Sequence, residues 1–250
     1  MIRFRFALTP LANVVPWGRD RATQHWFGLS DGAYWVETEE HELLRYAEPT
    51  LRARPDSRRP PYVDYYVVRL WEDLLAMLPE VLEPVPGDLL PFVSGALPEL
   101  DGDEVDDDVL TALDWHGGHV LNLGYLRNAP TLRWWRDTTG GTDVVRTDWR
   151  HDPDPDIAFA GPPALRFSVP TEAFVEAVTR FDREFLAAME ERVAALEAAG
   201  GLPGVEVDLA ALRAEQRQRA GLLPQVRGRR LATDWERVRA GVRSLGQARA

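Results

Sequence analysis

The residues that decide the fold are Thr131-Leu-Arg-Trp-Trp-Arg136 and Thr142-Asp-Val-Val-Arg-Thr-Asp-Trp149, which are joined by a connection through Thr139-Gly-Gly141. Both runs are rich in Trp, Val and Thr, residues that favour extended strands. A third run, His119 to Leu126, precedes them and sends alternate side chains to opposite faces when it is extended. Because the connections are short, the three runs predict an antiparallel meander over residues 119–149.

The sequence after the meander changes from strand to helix. Leu165 to Val169 predicts one more strand, which runs into Pro170 in the first turn of a long helix, where the missing amide of proline costs least. Gly200-Gly201 is predicted to end this helix. The buried face of the helix is predicted to consist of apolar residues at helical spacing: Phe174, Val178, Phe181, Phe185, Met189, Val193 and Leu196.

Two shorter helices are predicted nearer the C-terminus. Asp208 is the expected N-cap of the first. The second is expected to begin with the capping-box pair Thr233 and Glu236. Its apolar face is predicted to contain Trp235, Val238, Val242 and Leu245.

The N-terminal part of the chain predicts strands and a hairpin. Ile2 to Leu8 alternates apolar residues with Arg3 and Arg5, so it is expected to be a strand with one solvated face. His25 to Leu29 and Ala33 to Val36 are two aromatic runs separated by turn residues, which predicts a hairpin.

The period of the pattern changes after this hairpin. From Tyr62 the apolar residues recur every three or four positions, which predicts an amphipathic helix that ends near Pro79. The preceding segment, Arg52 to Pro61, contains four Arg and three Pro and is predicted to be an exposed linker. Residues 84–108 predict a short helical turn followed by a solvated acidic loop.

Strands precede helices along the chain, so the predicted fold class is α+β. The expected architecture is an antiparallel sheet, formed by the N-terminal hairpin and the central meander, packed against amphipathic helices, with a helical C-terminal third. With 250 residues and 45% apolar side chains, the chain is expected to form a single domain over residues 1–250. An alternative division makes residues 170–250 a helical subdomain.

Composition excludes several classes of chemistry. The chain contains no Cys, which excludes disulfides, thiolate nucleophiles, iron–sulfur clusters and Cys-based zinc sites. All 29 basic residues are Arg, so a Schiff-base lysine and a P-loop lysine are excluded as well. The chain has no Rossmann or P-loop glycine pattern, nucleophile elbow or His-Glu-x-x-His motif. No apolar run is long enough to cross a bilayer, so we expect no membrane anchor or signal peptide. Because the chain has no Cys, a cytoplasmic location is the default expectation. No cofactor is predicted.

The formal charge of −11 is unevenly distributed. Residues 213–250 contain 10 Arg and 3 acidic residues, whereas residues 1–212 contain 19 Arg and 37 acidic residues. An acidic body attracts basic partners. The basic C-terminal region has two interpretations: it packs against the acidic body, which we favour, or it binds nucleic acid.

The string Asp114-Trp-His-Gly-Gly-His119 is the densest cluster of reactive side chains. If Gly117-Gly118 forms a two-residue turn, His116 and His119 become cross-strand neighbours with Asp114 beside them. Two imidazoles and a carboxylate suit an iron or zinc site, or a histidine general base oriented by the carboxylate. The alternative interpretation, which we favour, is that the histidines are structural, so no metal site is predicted.

Aromatic residues provide a second candidate site. Trp26, Trp35 and Trp135 belong to adjacent aromatic pairs, and a strand sends the two members of such a pair to opposite faces. If helices do not cover the outer face of the sheet, one member of each pair is expected in solvent or in an interface, where aromatic side chains anchor partners. Trp135 shares a strand face with Arg133, so this face is the expected exposed binding surface. Core packing is the alternative interpretation.

Several strings also carry a family resemblance: Ile2-Arg-Phe-Arg-Phe6, His25-Trp-Phe-Gly-Leu-Ser-Asp-Gly32, Tyr62-Val-Asp-Tyr-Tyr66 and Trp115-His-Gly-Gly-His119. In these strings the chain resembles a bacterial domain-of-unknown-function family of uncharacterised soluble proteins, over essentially its whole length. The resemblance implies bacterial origin and assigns no mechanism. Small acidic, Trp-rich α+β chains also look broadly similar to the immunity proteins that neutralise bacterial toxins, by composition and class alone.

Two functional hypotheses follow from the sequence. The first is a non-catalytic acidic binding protein that engages a basic protein partner, as an immunity protein does. The second is a small-molecule hydrolase or metal-dependent enzyme built on Asp114, His116 and His119, with an arginine such as Arg127 or Arg133 holding an anionic substrate. Nucleic-acid binding through the C-terminal arginines is the least favoured alternative.

Overall fold

A computed structural model of the chain describes residues 1–54, 59–97, 106–152, 154 and 156–247. The contacts divide the chain into two compact units. Unit 1 comprises Met1–Leu75, Asp152–Pro162 and Glu172–Gly228, and unit 2 comprises Ala76–His151, Pro163–Thr171 and Arg229–Ala250. The predicted α+β class is confirmed, since the described residues form antiparallel sheets and helices and the C-terminal region is helical. The helices after residue 170 are divided between the two units.

The helices and strands are numbered in chain order. The strands are β1 Arg3–Leu8, β2 Thr23–Gln24, β3 Asp31–Glu37, β4 Glu42–Leu43, β5 Val63–Tyr66, β6 Thr131–Asp137, β7 Val144–Arg150, β8 Ala164–Pro170 and β9 Glu206–Val207. The α-helices are α1 Glu48–Ala53, α2 Val67–Leu82, α3 Leu90–Val93, α4 Asp107–Gly117, α5 Thr171–Ala199, α6 Leu209–Arg219, α7 Leu222–Gly228 and α8 Trp235–Gln247.

Unit 1 is built on a sheet in which β3 pairs antiparallel with β1, β4 and β5. The predicted strand at the N-terminus is confirmed as β1, and its Phe4 ring lies 6.0 Å from the ring of Phe181 on α5. The predicted α5 is also confirmed, and its whole apolar face is buried. Burial of such large side chains contributes about 1.5–3 kcal/mol each, so this face accounts for much of the stability of unit 1.

The predicted hairpin of residues 25–36 is wrong. Gly28–Ser30 forms a 3₁₀ turn instead of a strand, and Ser30 Oγ donates a hydrogen bond to the Phe27 carbonyl at 2.7 Å. A serine hydroxyl that bonds to a nearby carbonyl offers the backbone an alternative to a sheet ladder. The N-terminal antiparallel pair is therefore formed by β1 and β3, which are distant in sequence.

The predicted helix from Tyr62 to Pro79 begins and ends later than expected. Residues 63–66 form β5, because their β-branched and aromatic side chains suit a strand that pairs with β3. The helix α2 runs from Val67 to Leu82, so Pro79 lies inside the helix and does not end it. The first two residues of the predicted linker Arg52 to Pro61 belong to α1, and residues 55–58 lie outside the described residues. Residues 98–105 of the predicted acidic loop also lie outside the described residues.

Unit 2 is built on the antiparallel sheet β6-β7-β8. The predicted strands at 131–136, 142–149 and 165–169 are confirmed, but His119 to Leu126 is not a strand and contributes an isolated bridge between Val120 and Arg133. The Leu126 amide instead closes a turn on the Leu123 carbonyl. The meander therefore has β8 as its third strand.

The helices of unit 2 pack α4 against α8, and both begin at an aspartate. Asp106 accepts a hydrogen bond from the Val109 amide at 2.7 Å, and Asp234 accepts one from the Arg237 amide at 3.1 Å. The predicted capping box of Thr233 and Glu236 is therefore wrong, because Asp234 is the cap and the Thr233 hydroxyl donates to Glu83. In unit 1 the predicted N-cap Asp208 is confirmed, since it accepts from the Ala211 amide.

The arginines of the C-terminal region contact acidic side chains, as the first interpretation of the basic tail predicts. In unit 1, Arg213 pairs with Glu190 and Glu197. In unit 2, Arg237 pairs with Asp108. Each unit therefore compensates part of its own charge. None of the helices within the described residues has both the length and the apolar character that a bilayer-spanning segment requires.

Candidate functional site

The predicted convergence of Asp114, His116 and His119 does not occur. His116 lies in the last turn of α4, Gly117 and Gly118 end the helix instead of forming a hairpin turn, and Asp114 lies on its exposed face. A helix sends residues two positions apart in different directions, whereas a strand would have sent them to the same face. Among the described residues, no group of three His, Cys, Asp or Glu side chains is arranged to hold a metal ion.

Both histidines lie in the interior of unit 2. His116 is 2% exposed and His119 is 1% exposed, and the Nδ1 atom of His119 lies 2.8 Å from the Trp115 carbonyl. Burial, together with the nearby positive charge of Arg133, lowers the pKa of His116 to about 4. Burial likewise lowers the pKa of His119 to about 4. At neutral pH both rings are therefore uncharged core residues.

This burial predicts that the protein loses stability as the pH falls from about 6.5 towards about 4. In that window the histidines of the unfolded chain bind protons that the folded state excludes, so acid favours unfolding. A His116→Phe variant should lose less stability between pH 7 and pH 5 than the wild type, as measured by urea unfolding. Because the variant retains the same carboxyl groups, equal losses in the two proteins would contradict this origin of the acid sensitivity.

The four residues predicted to form an exposed aromatic surface are mostly buried. Trp26 is fully buried and donates its Nε1 hydrogen to Gln216 at 2.8 Å. Trp35 is half-buried and stacks on Tyr62, with ring centroids 3.9 Å apart. Trp135 and Arg133 are 3% and 6% exposed, so their predicted exposure is wrong although they do share one face of β6.

The face of the unit 2 sheet that carries Trp135 is charged. In an antiparallel sheet, residues directly opposite each other point to the same face. One row across the three strands is Arg133, Asp148 and Arg166, and the next row is Trp135, Arg146 and Ser168. The opposite face is mainly apolar and contains Leu132, Trp134, Val145, Trp149, Phe167 and Val169.

Two arginines of the charged face fix the end of α3. Arg133 Nη1 donates to the carbonyls of Val93 at 2.6 Å and Gly95 at 2.7 Å. Arg166 Nη2 donates to the carbonyl between them, that of Ser94, at 2.8 Å. The last carbonyls of a helix have no partner within the helix, and cations stabilise that end. These three bonds therefore hold residues 93–95 against the sheet.

Two buried carboxylates hold the arginine side chains in place. Asp148 is 1% exposed and accepts from Arg166 at 2.8 Å and from Arg150 at 3.0 Å. Asp137 is 2% exposed and accepts from Arg146 at 2.6 Å. Burial opposes ionisation of Asp137, but hydrogen bonds from Thr139 and Arg146 prevail and lower its pKa. The charged face thus has two carboxylates among four guanidinium groups.

A cleft of about 680 Å³ opens on this face, and all its lining residues belong to unit 2. Its sheet side includes Trp135, Arg146, Arg166 and Ser168, and the segment from Gly87 to Ser94 forms another wall. The side chains of Arg146 and Arg166 are 47% and 56% exposed, so solvent reaches them. The cleft is therefore the candidate functional site.

The sequence carries a signal for this site in the alternation of polar residues along β7 and β8. Arg146, Asp148 and Arg150 alternate along β7, and Arg166 and Ser168 alternate along β8. Charged residues at a spacing of two indicate one polar face on each strand. Only the pairing register, however, places Arg146 beside Ser168 and diagonal to Arg166.

Comparison with known proteins identifies the family of the chain. Residues 3–241 match a family of unknown function, DUF5984, so the chain belongs to this family. The resemblance to a domain-of-unknown-function family is thereby confirmed. No match was found among curated proteins or among solved structures.

Proposed function

We propose that this protein is a non-catalytic binding protein that holds a small molecule in the cleft of unit 2. The observation that carries the proposal is a cleft of about 680 Å³ on which Trp135, Arg146 and Arg166 converge. Small-molecule sites are typically clefts of about 300–1,000 Å³ with aromatic residues and a few placed polar groups. The carboxylates and carbonyls that hold both arginines make the site largely preformed.

The chemistry of the lining favours binding over catalysis. Among the described residues that line the cleft, none is a histidine, glutamate, cysteine or lysine. Ser94 and Ser168 therefore have no neighbouring general base of the kind that activates a serine nucleophile. Asp137 has a lowered pKa and accepts hydrogen bonds, so it does not act as a general acid near neutral pH.

Blocking the cleft provides the test. Gly87 is exposed, and a Cβ atom there would lie 3.5 Å from Thr139 Cγ2, an ordinary contact that the fold tolerates. A Gly87→Trp variant should lose at least about tenfold in affinity for cleft ligands, since the indole would occupy the space they need. The ligands would come from a fragment library of acidic, basic and neutral compounds, screened by ligand-observed NMR.

A matched control separates blocking from a general effect of tryptophan. Gly228 in unit 1 is exposed and has open space around its Cβ position, so Gly228→Trp should leave fragment binding unchanged. The absence of fragment hits, or hits that Gly87→Trp does not weaken, would overturn the proposal.

The basic protein partner and the cytoplasmic location remain predictions from the sequence. The partner hypothesis relied on exposed aromatic anchors, and Trp26 and Trp135 are buried. The cleft, whose sheet side presents two solvent-accessible guanidinium groups, suits an acidic ligand better than a basic one.

A further inference from the structure

We infer that the ligand of the cleft is a small phosphate monoester whose phosphate group is bound by Arg146, Arg166 and Ser168. The inference rests on the proposed function and names the class of ligand that the same cleft accepts. The three side chains form a triangle on the charged face: Arg146 lies opposite Ser168, and Arg166 lies two residues before Ser168 on β8. Diagonal neighbours in a sheet lie about 7–8 Å apart, so one anionic group reaches both arginines.

The two arginines retain hydrogen-bonding capacity for a ligand. The Nε atom of Arg146 donates to Asp137, and its two terminal nitrogens carry no further bond to the described residues. Arg166 donates from Nε to Asp148 and from Nη2 to Ser94, so Nη1 remains. A phosphate group offers three acceptor oxygens to such donors, and the hydroxyl of Ser168, which lies directly opposite Arg146, adds a further donor.

Charge distinguishes a phosphate monoester from a carboxylate. Arg133, Arg146, Arg150 and Arg166 share the face with Asp137 and Asp148, which leaves an excess of two positive charges. A phosphate monoester carries a charge of about −1.5 to −2 at pH 7, whereas a carboxylate carries one negative charge. The phosphate therefore neutralises this positive face more completely, although the protein as a whole has a net charge of −11.

Trp135 contributes an aromatic side chain to the site. The residue lines the cleft, is 3% exposed and lies in the same cross-strand row as Arg146 and Ser168. Aromatic side chains commonly line small-molecule sites, so Trp135 contributes to the apolar lining beside the phosphate site.

The affinity for three aromatic probes that differ in charge tests the inference. Isothermal titration calorimetry would compare phenyl phosphate, benzoate and phenol at constant ionic strength. Phenyl phosphate is expected to bind at least about tenfold more tightly than benzoate, and inorganic phosphate should compete with it. A phosphoserine peptide that binds while phenyl phosphate does not would overturn the inference of a small ligand.

Substitutions of the exposed Ser168 provide the site-specific arm. Ser168→Glu places a negative charge between the two arginines and should weaken phenyl phosphate binding at least about tenfold. Ser168→Gln removes the same hydroxyl and adds nearly the same bulk without the charge, so its loss of affinity should be at least about threefold smaller than that of Ser168→Glu. Equal effects of the two substitutions, or benzoate binding as tightly as phenyl phosphate, would overturn the inference. In either case, fragments that bind the wild type and bind Gly87→Trp more weakly would still support the proposed binding function.

Discussion

Replacement of Arg133 by alanine is expected to lower the free energy of unfolding by roughly 2–4 kcal/mol. The guanidinium group is buried and donates to two carbonyls at the end of α3. Without it the carbonyls of Val93 and Gly95 lose these bonds, and the side chain leaves a cavity. Because the same bonds fix a wall of the cleft, the variant should also bind cleft ligands more weakly. Urea unfolding at pH 7 provides the measurement.

Arg150 offers a matched control for this substitution. It contacts Asp148 from the same sheet face, but its side chain is 44% exposed. Solvent screens the charge of the half-exposed Arg150, and the buried Asp148 keeps its bond from Arg166 when Arg150 is removed, so Arg150→Ala should cost about 1 kcal/mol or less. If the two substitutions cost the same, the stabilising role assigned to the buried guanidinium group is wrong.

Replacement of Gly241 by alanine is expected to destabilise the protein by roughly 2–3 kcal/mol. In an isolated helix the same change is favourable by about 1 kcal/mol, so the prediction reverses the usual sign. The reason is the contact between α8 and α4: a Cβ atom at Gly241 would lie 2.0 Å from the Asp108 carbonyl oxygen and 2.9 Å from Ala112 Cβ. The two helices must move apart to admit it.

Gly246, on the same helix, provides the internal comparison. No atom lies within 4 Å of its Cβ position. Gly246→Ala should therefore leave stability unchanged or raise it by up to about 1 kcal/mol. A thermal unfolding series of the wild type and the two variants measures both effects, and a stabilised Gly241→Ala protein would show that α4 and α8 do not pack as closely as described.

The elements that the sequence predicts correctly are those with a long, regular pattern. The apolar spacing on α5 extends from Phe174 to Leu196, about six turns, so the helix and its buried face could be predicted together. The strands β6 and β7 were predicted because their residues favour strands over six or more positions. Two segments of strand-like composition, residues 119–126 and 25–29, were predicted wrongly because hydrogen bonds between residues close in sequence form turns there.

The candidate site was predicted in part and for the wrong reason. Arg133 and Trp135 were assigned correctly to one face of β6, but the prediction of an exposed surface ignored the wall formed by residues 87–95. The histidine site depended on reading Gly117-Gly118 as a hairpin turn. The same two glycines also end a helix well, and only the preceding helix α4 distinguishes the alternatives.

The sequence by itself determined the α+β class, the long helix and the polar alternation on β6 to β8. It also excluded the chemistry that depends on Cys or Lys. These properties depend on local spacing or on composition, which are complete in the sequence. Only the tertiary structure decided that Arg146, Ser168 and Arg166 meet and that Arg133 is buried. Such proximity depends on strand register and on packing between segments far apart in the chain, and a shift of one residue in register would have sent these side chains to the opposite face.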